Sequence, residues 1–320
     1  MLYEIIRKEY RKKVYVRKNY SNSIFYFSAS DFEGLREEKY EVKASAGHTL
    51  AGRFYKYGGS REDRIIIFDH GMASGHRSYM REIEHICRRG YTVFTYDHTG
   101  YAESGGEYAD GFVGSLIDLN DVLCALKSDE RYRGVSFSVV GHSWGGFSAL
   151  NISAFHPDLT HVVAMSAFVS IERIMQQYMG KIPFGMAKKI YTEECEKNPE
   201  FVTASAERSL AASDAHALII HSRDDKTVSA ELNFDFLKGA LADRKNTYFI
   251  ETVGRNHNPS YTAEALLYKK DFMLAHKRAS KRLKKATSEQ IREFISAWDF
   301  NKMTEQDTVL WDKIFEFLES

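Results

Sequence analysis

Short, wholly apolar runs return along this chain with amphipathic stretches between them, and that alternation constrains the fold more than any other feature. Ile65-Ile66-Ile67-Phe68 is followed by a helical stretch around Met80–Arg89, and the β-rich run Tyr91–Tyr96 by Leu116, Leu119, Leu123 and Leu126 at helical spacing. Val135–Val140 precedes a small-residue helix through Phe155, and further strands fall at His161–Met165, Ala217–Ile220 and Thr247–Glu251. A strand with no polar face has to be covered on both sides. Short strands of this kind, separated by helices, build a mostly parallel central sheet with helices on both faces. The chain therefore reads as α/β.

Ahead of that rhythm, Tyr40–Ala44 and Thr49–Tyr55 flank Ser45-Ala46-Gly47-His48 and read as a β-hairpin. Residues 1–39 form a basic, tyrosine-rich lead-in with a helical pattern in Leu2, Ile5, Ile6 and Tyr10. Residues 168–212 are too long for a simple crossover. They read as two or three helices punctuated by Pro183 and Pro199, a small helical cap inserted into a core of 40–167 and 213–320. The tail from about 261 is helical, with Thr304 and Asp307 as a capping box for a last helix carrying Val309, Ile314, Phe315 and Leu318.

Charge excludes several function classes. Lys plus Arg and Asp plus Glu are 44 each, so no global field points to a nucleic acid or to a membrane. Two local basic runs stand out, Arg7, Lys8, Arg11, Lys12 and Lys13, and then Lys277, Arg278, Lys281, Arg282, Lys284 and Lys285. Solvated helix faces are the first reading of both, and weak contact with an anionic surface is the second. Cys87, Cys124 and Cys195 have neither the number nor the spacing of a disulfide framework or a zinc site. With no transmembrane run and no apolar stretch long enough for a signal peptide, the expectation is a cytoplasmic protein. Its oligomeric state is left open.

The chemistry centres on Gly141-His142-Ser143-Trp144-Gly145. A bare G-x-S-x-G is weak, but this one directly follows an apolar strand and directly precedes a helix. A strand–turn–helix corner lifts the serine to the end of the sheet, and the turn is tight enough to require the glycines. The backbone N–H of Trp144 then points at a substrate oxygen from a helix N-terminus. A serine nucleophile needs a base, and the base needs an orienting carboxylate. At such corners these partners follow in the order acid, histidine, each in a loop after a strand. Asp224 and Asp225 follow Ala217–Ile220, and His257 lies in the glycine-led loop after Thr247–Glu251. His221 precedes the acid and is set aside. The loop after Ile65–Phe68, Asp69-His70-Gly71-Met72, supplies a second oxyanion donor in the N–H of Met72, with Asp69 read as a polar strand end.

These residues resemble the α/β-hydrolase superfamily, and within it the bacterial serine-aminopeptidase-like and esterase-like branch, from about Tyr40 to Asn258. In that branch the acid stands in a pattern D-x-x-V, which Asp225-Lys226-Thr227-Val228 matches, so the resemblance favours Asp225 over Asp224. Asp97, Gly100, Glu103, Ser104 and Gly105 resemble its D-x-R-G-x-G-x-S segment, with departures at Thr99, where arginine is common, and at Ala102, where glycine is common. His257-Asn258-Pro259-Ser260-Tyr261 is similar to small-capped members, and a serine at 143 sets aside the branches that use an aspartate nucleophile.

The resemblance implies an α/β-hydrolase fold and a Ser143–His257–Asp225 triad working on a small-molecule acyl substrate, with no metal or organic cofactor. A carboxylic ester is the expected bond. Amide, peptide and thioester bonds are the near alternatives, and a non-catalytic ligand-binding protein is the alternative of another class. Phe168, Met175, Tyr178, Met179 and Phe184 either line an acyl pocket or form the buried face of the cap helices.

Overall fold

The computed structural model describes residues 2–179 and 184–320. Eight strands form one sheet: β1 (Arg36–Lys43), β2 (Thr49–Lys56), β3 (Arg64–Asp69), β4 (Thr92–Tyr96), β5 (Ser136–His142), β6 (His161–Met165), β7 (His216–Ser222) and β8 (Thr247–Thr252). Their spatial order is β1-β2-β4-β3-β5-β6-β7-β8. The hairpin β1–β2 and the pair β2–β4 are antiparallel, and the remaining pairs are parallel. Because β4 and β5 flank β3 on opposite sides, the chain reverses its winding there. The C-terminal ends of β3 and β5 thus frame a crevice of the kind in which open α/β sheets place their ligands.

The continuous apolar runs are explained by the two cores. Ile65 and Ile67 face one core, and Ile66 and Phe68 face the other, all fully or almost fully buried. On the first face lie α3 (Gly114–Ser128) and α4 (Trp144–Asn151), through Leu116, Leu119, Phe147 and Leu150. On the second lie α2 (Met80–Arg88), through Ile83 and Ile86, and the end of the chain, through Trp311, Ile314 and Leu318. Each fully buried side chain of this size contributes about 1.5–3 kcal/mol relative to exposure. The edge strands β1 and β8 are the solvated ones: only Val42 of β1 is buried, and no residue of β8 is fully buried.

The lead-in begins with α1 (Leu2–Val14). Only part of its apolar stripe is covered: Leu2 and Ile5 are exposed, whereas Val14 is buried. Between β6 and β7 the described residues form four helices where two or three were expected: α5 (Ile171–Met179), α6 (Phe184–Lys197), α7 (Pro199–Val202) and α8 (Ala206–Ala211). Pro199 opens α7 at its first turn, where a missing N–H costs nothing. Pro183 lies outside the described residues, as do the side chains of Met179 and Phe184. The helix expected to run through Phe155 ends at Asn151 and continues as a 3₁₀ turn, Ile152–Ala154.

After α9 (Phe236–Ala240), the tail forms α10 (Ala263–Leu283), α11 (Ser288–Ser296), α12 (Phe300–Met303) and α13 (Thr308–Leu318). The cap of α13 differs from the expected Thr304–Asp307 box. Asp307 itself is the N-cap and accepts from Leu310 N at 3.2 Å, while Thr304 Oγ1 donates back to Phe300 O. Val309 points to solvent, and Leu310 and Trp311 take the buried positions. Both basic runs include the C-terminal turn of a helix, Arg11 to Lys13 on α1 and Lys281 with Arg282 on α10, where cations complement the helix dipole. No helix among the described residues is long and apolar enough to cross a membrane.

Candidate active site

Ser143 is the single residue between β5 and α4, and it holds φ 57° and ψ −110°. A non-glycine residue pays for such a conformation with strain of order 1–3 kcal/mol, and its surroundings hold it there. Ser143 N donates to Met165 O at 2.8 Å, and Ser143 O accepts from Phe147 N at 3.0 Å to start the helix. The flanking glycines have no room for a side chain: a Cβ at Gly141 would collide with the Gly145 carbonyl, and one at Gly145 with the Asp69 carbonyl.

His257 bridges the other two sequence-derived residues. Its Nε2 lies 2.8 Å from Ser143 Oγ, and its Nδ1 lies 2.7 Å from Asp225 Oδ2. The loop carrying it turns through Gly254 and Asn256, both at positive φ. Asp225 is buried, and its Oδ1 accepts from Thr227 N at 2.7 Å and Val228 N at 3.0 Å, leaving Oδ2 for the imidazole. Burial pushes this carboxyl up, but hydrogen bonds from His221 and His257 and the His257 charge hold it well below the usual carboxylate range. His221, set aside from its position in the chain, sits behind the acid: its Nε2 is 3.4 Å from Asp225 Oδ2 and bonds Val228 O at 2.9 Å. Asp224 has a different task. It accepts from Gly254 N at 2.8 Å and Asn256 N at 3.2 Å, which ties the acid loop to the histidine loop.

Met72 and Trp144 line the same cavity as Ser143 and His257, with a volume of about 350 Å³. Among the described residues neither backbone N–H finds a hydrogen-bond partner, so both are available to an oxyanion. The two loops touch: a Cβ at Gly71 would stand 3.2 Å from that of Ser143. Lys18, from the lead-in, donates its Nζ to Met72 O at 3.1 Å.

His142 links the three loops. Gly71 N donates to Tyr79 Oη at 3.2 Å, Tyr79 Oη pairs with His142 Nδ1 at 3.0 Å, and His142 Nε2 pairs with His257 O at 2.6 Å. Since a carbonyl only accepts, His142 carries its proton on Nε2 and takes the tyrosine proton on Nδ1. Burial, reinforced by the nearby His257 charge, pushes its pKa down to about 3 and keeps it neutral.

Beneath the loop that carries Met72 lies a buried charged cluster. His98 Nε2 is 2.8 Å from Asp69 Oδ1, and His98 Nδ1 is 3.2 Å from Asp118 Oδ2. Burial works against the cation, but the two carboxylates raise His98 to about 10. Its ring lies 4.7 Å from the Trp144 indole. Asp69 is therefore a strand-end residue as read, with a buried partner that the sequence did not reveal. Thr99, standing where the branch commonly has arginine, donates its Oγ1 to Asp118 at 2.6 Å. Ala102, where glycine is common, keeps the glycine-like φ of 38°. Asp97 accepts from His76 N at 2.9 Å and Glu103 N at 3.2 Å, closing this loop.

Phe168 and Tyr178 of the expected cap set line the cavity; Tyr79, Phe112, Tyr261 and Lys269 do so without having been picked out. Lys269 is half-buried, with its ammonium 4.7 Å from the Tyr261 ring centroid. In the sequence it is one of two adjacent lysines in a helix, and nothing there separates it from its neighbour.

Comparison with known proteins agrees with this architecture. Residues 60–204 match the family described as serine aminopeptidase, S33. A monoglyceride lipase homolog of Monkeypox virus is 28% identical over 113 residues, which are 34% of this chain and 40% of that protein. The uncharacterized protein YqkD of Bacillus subtilis (strain 168) is 25% identical over 125 residues, 39% of this chain and 40% of that protein. The matched stretch thus spans 40% of the length of each relative. Among solved structures, the Pyrococcus furiosus esterase Pf2001 superposes with a TM-score of 0.59 at 19% identity, covering 89% of this chain and 98% of that one. Est1E from Butyrivibrio proteoclasticus, solved with ferulic acid bound, gives 0.57 at 17% identity over 74% of this chain and 98% of that one. With its eight-stranded, mostly parallel sheet and its serine corner at the end of β5, the chain has the α/β-hydrolase fold, and over residues 60–204 it is similar to the serine aminopeptidase family.

Proposed function

We propose that this chain is a serine hydrolase that cleaves a carboxylic ester of a small-molecule substrate through an acyl-enzyme. The observation that carries the reading is the position of His257, within hydrogen-bond reach of both Ser143 Oγ (2.8 Å) and Asp225 Oδ2 (2.7 Å). Ser143 attacks the acyl carbonyl while His257 Nε2 takes its proton. Asp225 fixes the Nδ1–H tautomer and stabilises the imidazolium that forms. The N–H groups of Met72 and Trp144 receive the developing oxyanion, where losing one donor typically costs about 2.7–4 kcal/mol. His257 then passes its proton to the leaving oxygen, and a water activated by the same ring releases the acid.

An ester is preferred to an amide because its leaving group needs less help from that proton. The relatives support the choice of bond, since they include proteins described as an esterase and as a monoglyceride lipase homolog. Residues 168–212 act as a cap over the site, contributing Phe168, Ile174 and Tyr178 to its wall, on a core of 40–167 and 213–320 with 1–39 as lead-in. The three cysteines are unpaired, which fits a reducing, cytoplasmic setting.

A fluorophosphonate probe tests the reading. Wild-type protein is expected to label at Ser143, and Ser143→Ala to lose both labelling and turnover of p-nitrophenyl esters. Folded wild-type protein that takes no label would overturn it. Aminoacyl anilides and thioesters assayed alongside rank the bond types.

A further inference from the structure

The site has a second room. Next to the cavity that holds Ser143 lies a chamber of about 370 Å³, and the two share Met72, Phe112 and Tyr178 as a common partition. Its far wall is the N-terminal helix α1, through Ile6, Tyr10 and Val14, with Met175 of α5 closing it from the cap. Apart from the ends of Glu9 and Lys13 these walls are hydrocarbon and aromatic. Ile5, at 56% exposed, also lines the chamber, so the room has an opening to solvent along α1.

Helix α1 is held against the cap. Tyr3 and Arg7 both bond Glu193 of α6, the latter at 2.7 Å, and Tyr15 just past α1 bonds Glu194. A helix needed only to cover the core would not leave an apolar room between itself and the body.

The direction of the reaction assigns the room. His257 must give its proton to the leaving oxygen, so the leaving group lies on the histidine side, where the cavity is lined by Asn258, Tyr261 and Lys269. The acyl chain must leave the carbonyl on the other side. There Met72, whose N–H faces the carbonyl oxygen in the mechanism above, is itself part of the partition.

We infer that the chamber beneath α1 receives an unbranched apolar acyl chain, and that Ile6 with Phe112 sets how long a chain is accepted. The inference rests on the hydrolase reading for the direction of the substrate. It makes the substrate an amphiphile, an acyl chain of medium or greater length on a polar alcohol. Each methylene that enters a fully dry wall raises kcat/KM up to about fourfold until the room is full.

The test compares p-nitrophenyl butyrate with p-nitrophenyl dodecanoate, and follows dodecanoate binding to Ser143→Ala by calorimetry. Wild type is expected to favour the longer ester. Ile6→Trp, which fills the room, should lower the dodecanoate-to-butyrate ratio of kcat/KM at least tenfold, and should weaken dodecanoate binding in the Ser143→Ala background to the same degree. Ile5→Trp, at the exposed mouth, is the second variant should Ile6→Trp fail to fold, and should lower the same ratio. A wild type that cleaves butyrate with no gain on dodecanoate, or an Ile6→Trp that slows both esters equally, overturns the chamber and leaves the hydrolase standing. Dodecanoate binding without any ester turnover overturns the hydrolase and leaves the chamber.

Discussion

His257 Nδ1 lies 2.7 Å from Asp225 Oδ2, while Asp224, one residue earlier, accepts from the backbone N–H groups of Gly254 and Asn256. Adjacent carboxylates thus serve different partners, and substitution should separate them. Asp225→Asn is expected to lower kcat about ten-thousand-fold with the fold intact, because the imidazole loses the acceptor that sets its tautomer. Asp224→Asn should change kcat no more than about threefold, and Asp224→Ala should cost about 1 kcal/mol in urea unfolding, since the freed N–H groups are near solvent. The reverse ranking in steady-state kinetics would reassign the acid.

Tyr79 joins the Gly71–Met72 loop, the proposed source of one oxyanion donor, to the serine corner through Gly71 N and His142 Nδ1. Tyr79→Phe leaves both of those buried groups without a partner, at a cost of about 1–3 kcal/mol. If the hydroxyl positions the Gly71–Met72 turn, kcat should drop on the order of tenfold with KM little changed. A loss of stability with kcat unaltered would make Tyr79 a packing residue only.

Gly145 faces the Asp69 carbonyl with no space for a Cβ, and the atom it would strike is backbone, so no side-chain rotation relieves the clash. Gly145→Ala should therefore destabilise the chain by about 3 kcal/mol or more. Chemical denaturation at neutral pH reads this directly. A loss under about 1 kcal/mol would mean that the corner is looser than described.

Two buried histidines should titrate in opposite directions. His98, between Asp69 and Asp118, is raised to about 10, and His142 is pushed down to about 3. In ring-proton NMR, His98 should stay protonated through pH 8 and His142 neutral down to pH 5. For His98 the folded value is above the unfolded one of about 6.5, so its stabilisation is complete below that pH and is lost as pH rises towards 10. The unfolding midpoint should fall over that alkaline range, and a His98 ring that titrates near 6.5 would remove the reason for it.

Much of this was legible in the sequence for one physical cause. A parallel sheet buried on both faces needs unbroken apolar runs, so the strands from Ile65–Phe68 onward could be located within a residue or two, and the β6 run matched at both ends. The placement of Ser143, His257 and the pair Asp224–Asp225 followed from chain order, because each loop leaves the same end of the sheet, while the preference for Asp225 came from the family resemblance. Less readable was whatever depends on distant parts of the chain meeting. His98 is one of 12 histidines until Asp69 and Asp118 close on it. Lys269, on α10, and Phe112, in the turn before α3, reach the cavity through tertiary packing that no local pattern encodes. The cap of α13 was misread because Thr304 and Asp307 have the right spacing, while the aspartate alone had the right backbone angle.

The bond from Lys18 Nζ to Met72 O ties the lead-in, which stands outside the sheet, to the loop that lines the serine cavity. Replacing Lys18 with methionine would leave both cores packed and the serine corner in place, yet release the strap on the Met72 loop. Folding and turnover would then part company, leaving a protein that melts almost as before and works poorly.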